Sequence, residues 1–380
     1  MKKIVIASDS FKGSVSSAEV AQSAREGILR VFPECEVICL TVSDGGEGLY
    51  KTLQQQLKGK QIICSVHNSQ METINAGYIL SGDEKTAVIE TAAANGLALI
   101  PKEKRNLMEA TTFGTGELIK NAIRRGCRNI LLGIGGSATN DAGTGMLQAL
   151  GIRFKDENGT ILEYGGKILS RIASIDESGV LPELKDCRFT IICDVNNPLF
   201  GPNGAAYVYA PQKGADCEQV CFLDKGLKNF SHIIEQEKGI NISKVSGAGA
   251  AGGMGAACLA FFHAQLKPGI ETVLEIIGFD KLIAGADLII TGEGKLDRQT
   301  IMGKTASGIL AAARKHHIPV IALGGCVENT KELIDAGFLA AFSILPYPVT
   351  LEQAMQKDFT LCNIANTTEQ IMRIIKNQAQ

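Results

Sequence analysis

Both ends of this 380-residue chain alternate β-branched apolar runs with amphipathic stretches, and that alternation constrains the fold more than any other feature. The run KIVIAS (Lys3–Ser8) predicts a strand. Ser16 and Glu19 then make a capping box for a helix through Val20, Ala24 and Ile28 that should stop near Pro33. Residues 36–42 (EVICLTV) predict a second strand, and Leu49, Leu53 and Leu57 a second helix. Beyond about Lys267 the pattern returns, with strands predicted at residues 286–291, 319–323 and 340–345 and helices around 306–313 and 329–336. Strands that alternate with helices are joined by crossovers, so they pair in parallel and need helices on the sheet faces.

Two strands from the start and three from the end make one five-stranded, doubly wound, flavodoxin-like sheet. The middle follows different rules. Thr73–Leu80 and Thr86–Glu90 predict strands separated only by residues 81–85, a hairpin that a purely parallel sheet would not contain. A helix at 116–125 and strands at 129–134 and 189–193 follow, the last ending in Asp194. The expected architecture is α/β: a discontinuous flavodoxin-like domain of residues 1–62 and 268–380, an inserted mixed α/β domain of residues 63–267, and an active site in the cleft between them. The competing division is two consecutive domains split near residue 180.

Hydrophobic residues at 45% and charged residues at 21% describe a globular chain and exclude disorder as the main state. With 38 basic and 40 acidic residues the net charge is -2, which offers no field for nucleic acid or an anionic membrane. A small-molecule partner is the remaining class, and monomer and homo-oligomer stay equally open. The 11 cysteines show no C-x-x-C spacing and read as thiols in a reducing compartment. Asp9 interrupts the N-terminal apolar run before a signal peptide could form, so the expected location is the cytoplasm. The uncharged residues nearest to a membrane span, 245–262, carry Gly247, Gly249, Gly252, Gly253 and Gly255, which predicts a glycine loop entering a buried helix.

In parallel α/β sheets ligands bind beyond the carboxyl ends of strands. The segments there are Asp9-Ser10-Phe11-Lys12-Gly13-Ser14, Asp44-Gly45-Gly46-Glu47-Gly48, Gly135-Gly136-Ser137-Ala138-Thr139-Asn140-Asp141 and Thr291-Gly292-Glu293-Gly294-Lys295-Leu296-Asp297. Glycines and short hydroxyl residues before a helix let backbone N–H groups approach an oxyanion, so residues 135–139, backed by Gly143 and Gly145, form the best phosphate candidate. The competing reading is a turn that needs glycine for its backbone angles alone. Asp141, Asp194, Glu293 and Asp297 are candidate Mg²⁺ ligands, because that ion takes one or two carboxylates together with phosphate oxygens. Capping or turn roles compete for each of them. Lys12 is placed to hold a carboxylate or a transferring phosphoryl group, and Lys295 and Lys304 are similar.

Other motifs fall short. Gly303-Lys304-Thr305 looks like the tail of a Walker A loop, but Arg298 stands where that loop needs its first glycine. Gly247-x-Gly249-x-x-Gly252 and Gly133-x-Gly135-x-x-Ala138 formally match dinucleotide fingerprints, which keeps a nicotinamide-dependent oxidoreductase of a small hydroxy acid as a rival. A non-catalytic two-domain binder of a small acid is a second rival, disfavoured by the carboxylates at strand ends. No G-x-S-x-G or H-E-x-x-H occurs.

DSFKGS from Asp9, SDGGEG from Ser43, GIGGSATNDAGTG from Gly133, CDVNNPLFGPNGAA from Cys193, GAAGGMG from Gly249 and TGEGKLDRQT from Thr291 together resemble the glycerate kinase family that is unrelated to P-loop kinases. The motifs follow the family's order across nearly the whole chain, with Ala142 standing where many members carry a glycine. The resemblance implies ATP- and Mg²⁺-dependent phosphorylation of D-glycerate on a two-domain α/β fold, with 2-phosphoglycerate the expected product. Under it, Gly135, Gly136, Ser137, Thr139 and Asn140 cradle phosphates, and Asp194 accepts the hydroxyl proton or holds Mg²⁺. Asp141, Glu293 and Asp297 complete the metal shell. Lys12 and Ser14 grip the glycerate carboxylate, with Asp9, Ser10, Asp44 and Glu47 lining the substrate.

Overall fold

The structure, a computed structural model, describes residues 1–42 and 47–378, without the side chains of residues 47–49, 51 and 378. In chain order the strands are β1 (Lys3–Ser8), β2 (Glu36–Thr41), β3 (Lys60–His67), β4 (Thr73–Leu80), β5 (Thr86–Glu90), β6 (Asn129–Gly133) and β7 (Arg153–Lys155). They continue with β8 (Ser174–Asp176), β9 (Arg188–Ile192), β10 (Gln265–Lys267), β11 (Leu288–Leu296), β12 (Val320–Val327) and β13 (Ala340–Ser343). Two compact units result: Met1–Gln56 with Pro268–Gln380, and Leu57–Lys267.

The first unit holds a five-stranded sheet in the order β13-β12-β11-β1-β2, with every pair parallel. Counted within the unit this is 2-1-3-4-5, the flavodoxin order. Ile4, Val5, Ile6 and Ala7 are fully buried in β1, as expected for a central strand covered on both faces. Helix Ser17–Leu29 begins at the predicted capping box, where Ser16 Oγ accepts from Glu19 N and the Glu19 carboxylate accepts from Ser16 N. Its apolar face, Val20, Ala24 and Ile28, joins Ile4, Ile6, Ile290, Ile321, Ile364 and Met372 in one core. β11 departs from the sequence reading. The polar run after Ile290 stays in the strand as far as Leu296, because β12 offers a parallel partner as far as Val327. Backbone pairing outweighs the weak strand preference of Gly292, Glu293, Gly294 and Lys295.

The second unit holds a six-stranded mixed sheet in the order β10-β9-β6-β5-β4-β3, with β7 and β8 as a separate antiparallel pair. β10, β9, β6 and β5 are mutually parallel, whereas β4 runs antiparallel to β5 and β3 to β4. The predicted hairpin is present. β3 was not expected, because as an edge strand its alternation is weak, and Ile63 remains 63% exposed. Helix Cys217–Lys238 starts on a capping box of Asp216 and Gln219 and ends at the left-handed Gly239. Helix Ala250–Phe262 contains three successive positive-φ residues, Ala251, Gly252 and Gly253, so the glycine motif is a kink and not a regular turn of helix. Among the described residues no helix is long and apolar enough to cross a membrane.

Candidate active site

In the first unit the strand order changes direction between β1 and β11, and such a switch point is where an α/β sheet opens a crevice for ligands. Asp9, at the carboxyl end of β1, lies there and is almost fully buried. Its Oδ1 accepts from Ser10 N at 2.7 Å, its Oδ2 accepts from Thr305 Oγ1 at 3.1 Å, and its backbone N–H donates to Gly292 O at 2.9 Å. Glu293 on β11 is 13% exposed and has Lys304 Nζ at 3.7 Å from Oε2. Lys304 and Thr305 open helix Thr305–Lys315, so two carboxylates, an ammonium and a hydroxyl gather around β1, β11 and one helix start.

The other candidates of this unit have surroundings of their own, and Lys12 N lies 3.6 Å from where a Cβ on Gly294 would stand. Lys12 is exposed on a loop closed by the Phe11–Val15 bridge. Ser14 Oγ lies 2.7 Å from Thr360 Oγ1, whose own proton is directed to Ala354 O and Gln356 O, so Ser14 is the donor between them. Asp297 caps the short turn Arg298–Ile301 by accepting from Gln299 N at 2.8 Å, with Lys295 Nζ 3.8 Å from its other oxygen. Asp44 lies outside the described residues. Glu47 begins helix Glu47–Gln56, and its side chain is likewise outside them.

In the second unit the loop after β6 separates the two readings of its glycines. Gly136 has φ +71° and needs glycine for its backbone angle. Gly135 is exposed, has no positive φ, and a Cβ built on it would meet no protein atom within 4 Å. Neither strain nor packing demands glycine there. Ser137, Thr139 and Asn140 are buried behind it. Thr139 Oγ1 and both amide atoms of Asn140 have no hydrogen-bond partner among the described residues.

Asp141 faces inward. Its Oδ2 accepts from Thr112 N and Thr112 Oγ1 at 2.8 Å each and from Gly145 N at 3.2 Å, and its Oδ1 accepts from Gly143 N at 3.2 Å. Burial pushes its pKa up against these donors, which pull it down. The Gly143 and Gly145 amides at the start of helix Thr144–Ala149 are thereby occupied by a side chain of the protein. Gly252 explains the second glycine motif: a Cβ there would run into Thr139 O and Asn140 Cα, and Gly252 O accepts from Ala142 N at 3.0 Å. No strand precedes Gly247, which removes the context a dinucleotide fingerprint needs. Ala142 itself has φ +52°, a left-handed position that suits the glycine of the resembling motif.

Asp194 is exposed just past β9. Its neighbours have structural partners: Asn197 accepts from Tyr209 Oη at 2.6 Å and donates to Asn203 O at 2.9 Å, and Asn196 accepts from Ser246 Oγ at 3.0 Å. Among the described residues no group of three or more His, Cys, Asp or Glu side chains is placed to hold a metal ion. Asp141 and Asp194 belong to the second unit, Glu293 and Asp297 to the first.

One residue of the site escaped sequence reasoning. Lys213, 4% exposed, donates from Nζ to Ser137 Oγ at 3.0 Å and to Thr139 O at 2.7 Å. Burial lowers its pKa to about 7, partly offset by the negative charge of Asp141. The only signal in the sequence was that residues 195–212 carry no charge before it.

Comparison with known proteins then bears on this arrangement. The glycerate kinase family model matches residues 4–376. A glycerate kinase of Halalkalibacterium halodurans is 45% identical over 95% of each chain, and a glycerate 2-kinase of Escherichia coli is 44% identical over 93% of each. A crystal structure from Salmonella typhimurium LT2, provisionally assigned as glycerate kinase 2, superposes with a TM-score of 0.87 at 41% identity, covering 100% of this chain and 99% of that one. With its α/β units, its strand-end loops and these matches in agreement, the chain belongs to the glycerate kinase family and is an enzyme of that kind.

Proposed function

We propose that the enzyme transfers the γ-phosphoryl group of ATP to the 2-hydroxyl of D-glycerate, with Mg²⁺, to give 2-phosphoglycerate. The observation that carries phosphate binding is Gly135, a glycine that neither strain nor packing explains, beside buried hydroxyl and amide groups without a partner among the described residues. The 2-hydroxyl is supported by the glycerate 2-kinase of Escherichia coli, 44% identical.

Gly135, Gly136, Ser137, Thr139 and Asn140 hold phosphate oxygens through backbone and side-chain donors. The glycerate hydroxyl attacks the γ-phosphorus, the bond to the β–γ bridging oxygen breaks, and Asp194 takes the hydroxyl proton. Lys12 holds the glycerate carboxylate, Asp9 and Ser10 line the substrate, and Asp44 and Glu47 stay in the proposed substrate loop. Mg²⁺ needs only one or two carboxylates when phosphate oxygens complete its shell, so Glu293, or Asp194 if it is not the proton acceptor, suits it without a three-carboxylate cage. When bound, that ion neutralises charge on the phosphate oxygens. Ser14, Asp141 and Asp297, whose polar atoms already serve the protein, we reassign to structural roles. The eleven free cysteines suit a reducing compartment, and we place the enzyme in the cytoplasm.

Phosphorus NMR of a reaction containing ATP, Mg²⁺ and D-glycerate tests this, with 2-phosphoglycerate and ADP expected. A 3-phosphoglycerate signal would overturn the regiochemistry, and ATP consumption indifferent to glycerate would overturn the acceptor. Asp194→Asn should lower kcat by roughly two to four orders of magnitude at unchanged Tm. Near-normal kcat would remove Asp194 from the chemistry.

A further inference from the structure

A lysine ammonium carries three N–H donors and a full charge. Lys213 directs two of them to Ser137 Oγ and Thr139 O, and among the described residues no carboxylate pairs with it directly. The charged group that acts on it is Asp141, on the loop of Ser137 and Thr139, and Arg105 donates to Gln212 O, one residue before it. A buried cation without a direct counter-ion is unstable unless something supplies one.

Ser137 supplies the link. Its Oγ accepts from the lysine, so its own proton remains to be donated, and a hydroxyl that accepts from an ammonium becomes a stronger donor. Thr139 Oγ1 and the Asn140 amide, enclosed on the same loop, also have no partner among the described residues. A hydroxyl donor backed by a buried positive charge describes one side of a site for an oxyanion.

We propose that Lys213 is a positioning residue for phosphoryl transfer, one that locks the Thr139 carbonyl and turns Ser137 into a charge-assisted donor to a phosphoryl oxygen. This rests on residues 135–140 being the phosphate cradle. It also predicts proton uptake: with a pKa near 7 in the empty enzyme, Lys213 gains protonation at pH 8 when an anion arrives.

The test combines kinetics with calorimetry. Lys213→Met and Ser137→Ala should each lower kcat by roughly 10²–10³-fold, and the double variant should be no worse than the poorer single one. Titrations with ADP and, separately, with 2-phosphoglycerate, in buffers of different ionisation heat, should show proton uptake by the wild type at pH 8. The ligand that shows it is the source of the oxyanion, and Lys213→Met should abolish it. Near-normal kcat in Ser137→Ala, losses that multiply, or wild-type binding of both ligands without proton uptake would overturn the proposal. If Lys213→Met does not fold, Ser137→Ala and the wild-type titrations still decide. Gly135→Val tests the cradle separately. It should keep its Tm and lose binding of whichever of ADP and 2-phosphoglycerate shows the proton uptake, whereas undiminished binding of that ligand would overturn the cradle and this proposal with it.

Discussion

The strand-end group of the first unit and the loop of the second use the same residue types in opposite ways. Around β1 and β11, Glu293 and Lys304 form a partly exposed ion pair, and the Asp9 carboxylate accepts from the Ser10 amide and the Ser10 and Thr305 hydroxyls. Around β6, Asp141 and Lys213 are fully enclosed, and their contacts are with backbone and hydroxyl groups of the loop that they shape. A charge near solvent can be lent to a substrate at little expense to the fold. A charge in the interior holds a loop in one conformation, and its removal leaves the groups around it unsatisfied.

That contrast gives its sharpest prediction at Asp141. Asp141→Ala strands the Thr112, Gly143 and Gly145 donors in the interior and should destabilise the second unit by about 3–5 kcal/mol. Urea denaturation measures it, and a loss below about 1 kcal/mol would break the comparison. Glu293→Gln should do the reverse: kcat falls roughly tenfold to a hundredfold, while stability changes by less than about 1 kcal/mol, the usual worth of a partly exposed ion pair. A Tm drop that tracked the lost activity would make Glu293 structural.

The smallest effect is one of pH, and its sign follows from Lys213. Its folded pKa is lowered to about 7 from the ordinary lysine value of 10.5, so below pH 7 both folded and unfolded states are protonated and the burden of burying the charge is fully present. Between about pH 7 and 10.5 the unfolded chain binds more protons, and stability of the empty enzyme should rise with pH from this group. The slope is at most about 1.4 kcal/mol per pH unit for one proton. Comparing urea midpoints of wild type and Lys213→Met from pH 7 to 9 isolates it, and identical pH dependence in both would show that Lys213 does not titrate there.

Much of this protein is written locally. The capping box at Ser16, the buried run Ile4–Ala7 and the hairpin after Thr73 each depend on residues a few positions apart, and periodicity and capping chemistry suffice to find them. The glycine and hydroxyl loop at 135–140 was legible for the same reason. Sequence could not say that β11 would keep Glu293 inside a strand, because that depends on a partner strand whose residues lie about thirty positions later. It could not separate Gly135 from Gly136, since the difference is open space against a backbone angle. Nor could it find Lys213, a lysine like many others until the fold brings it, across 76 residues of sequence, against Ser137 and closes it off from water. Composition and spacing determine which groups are available to a site. Only tertiary packing decides which of them are desolvated, and desolvation changes what a charge can do.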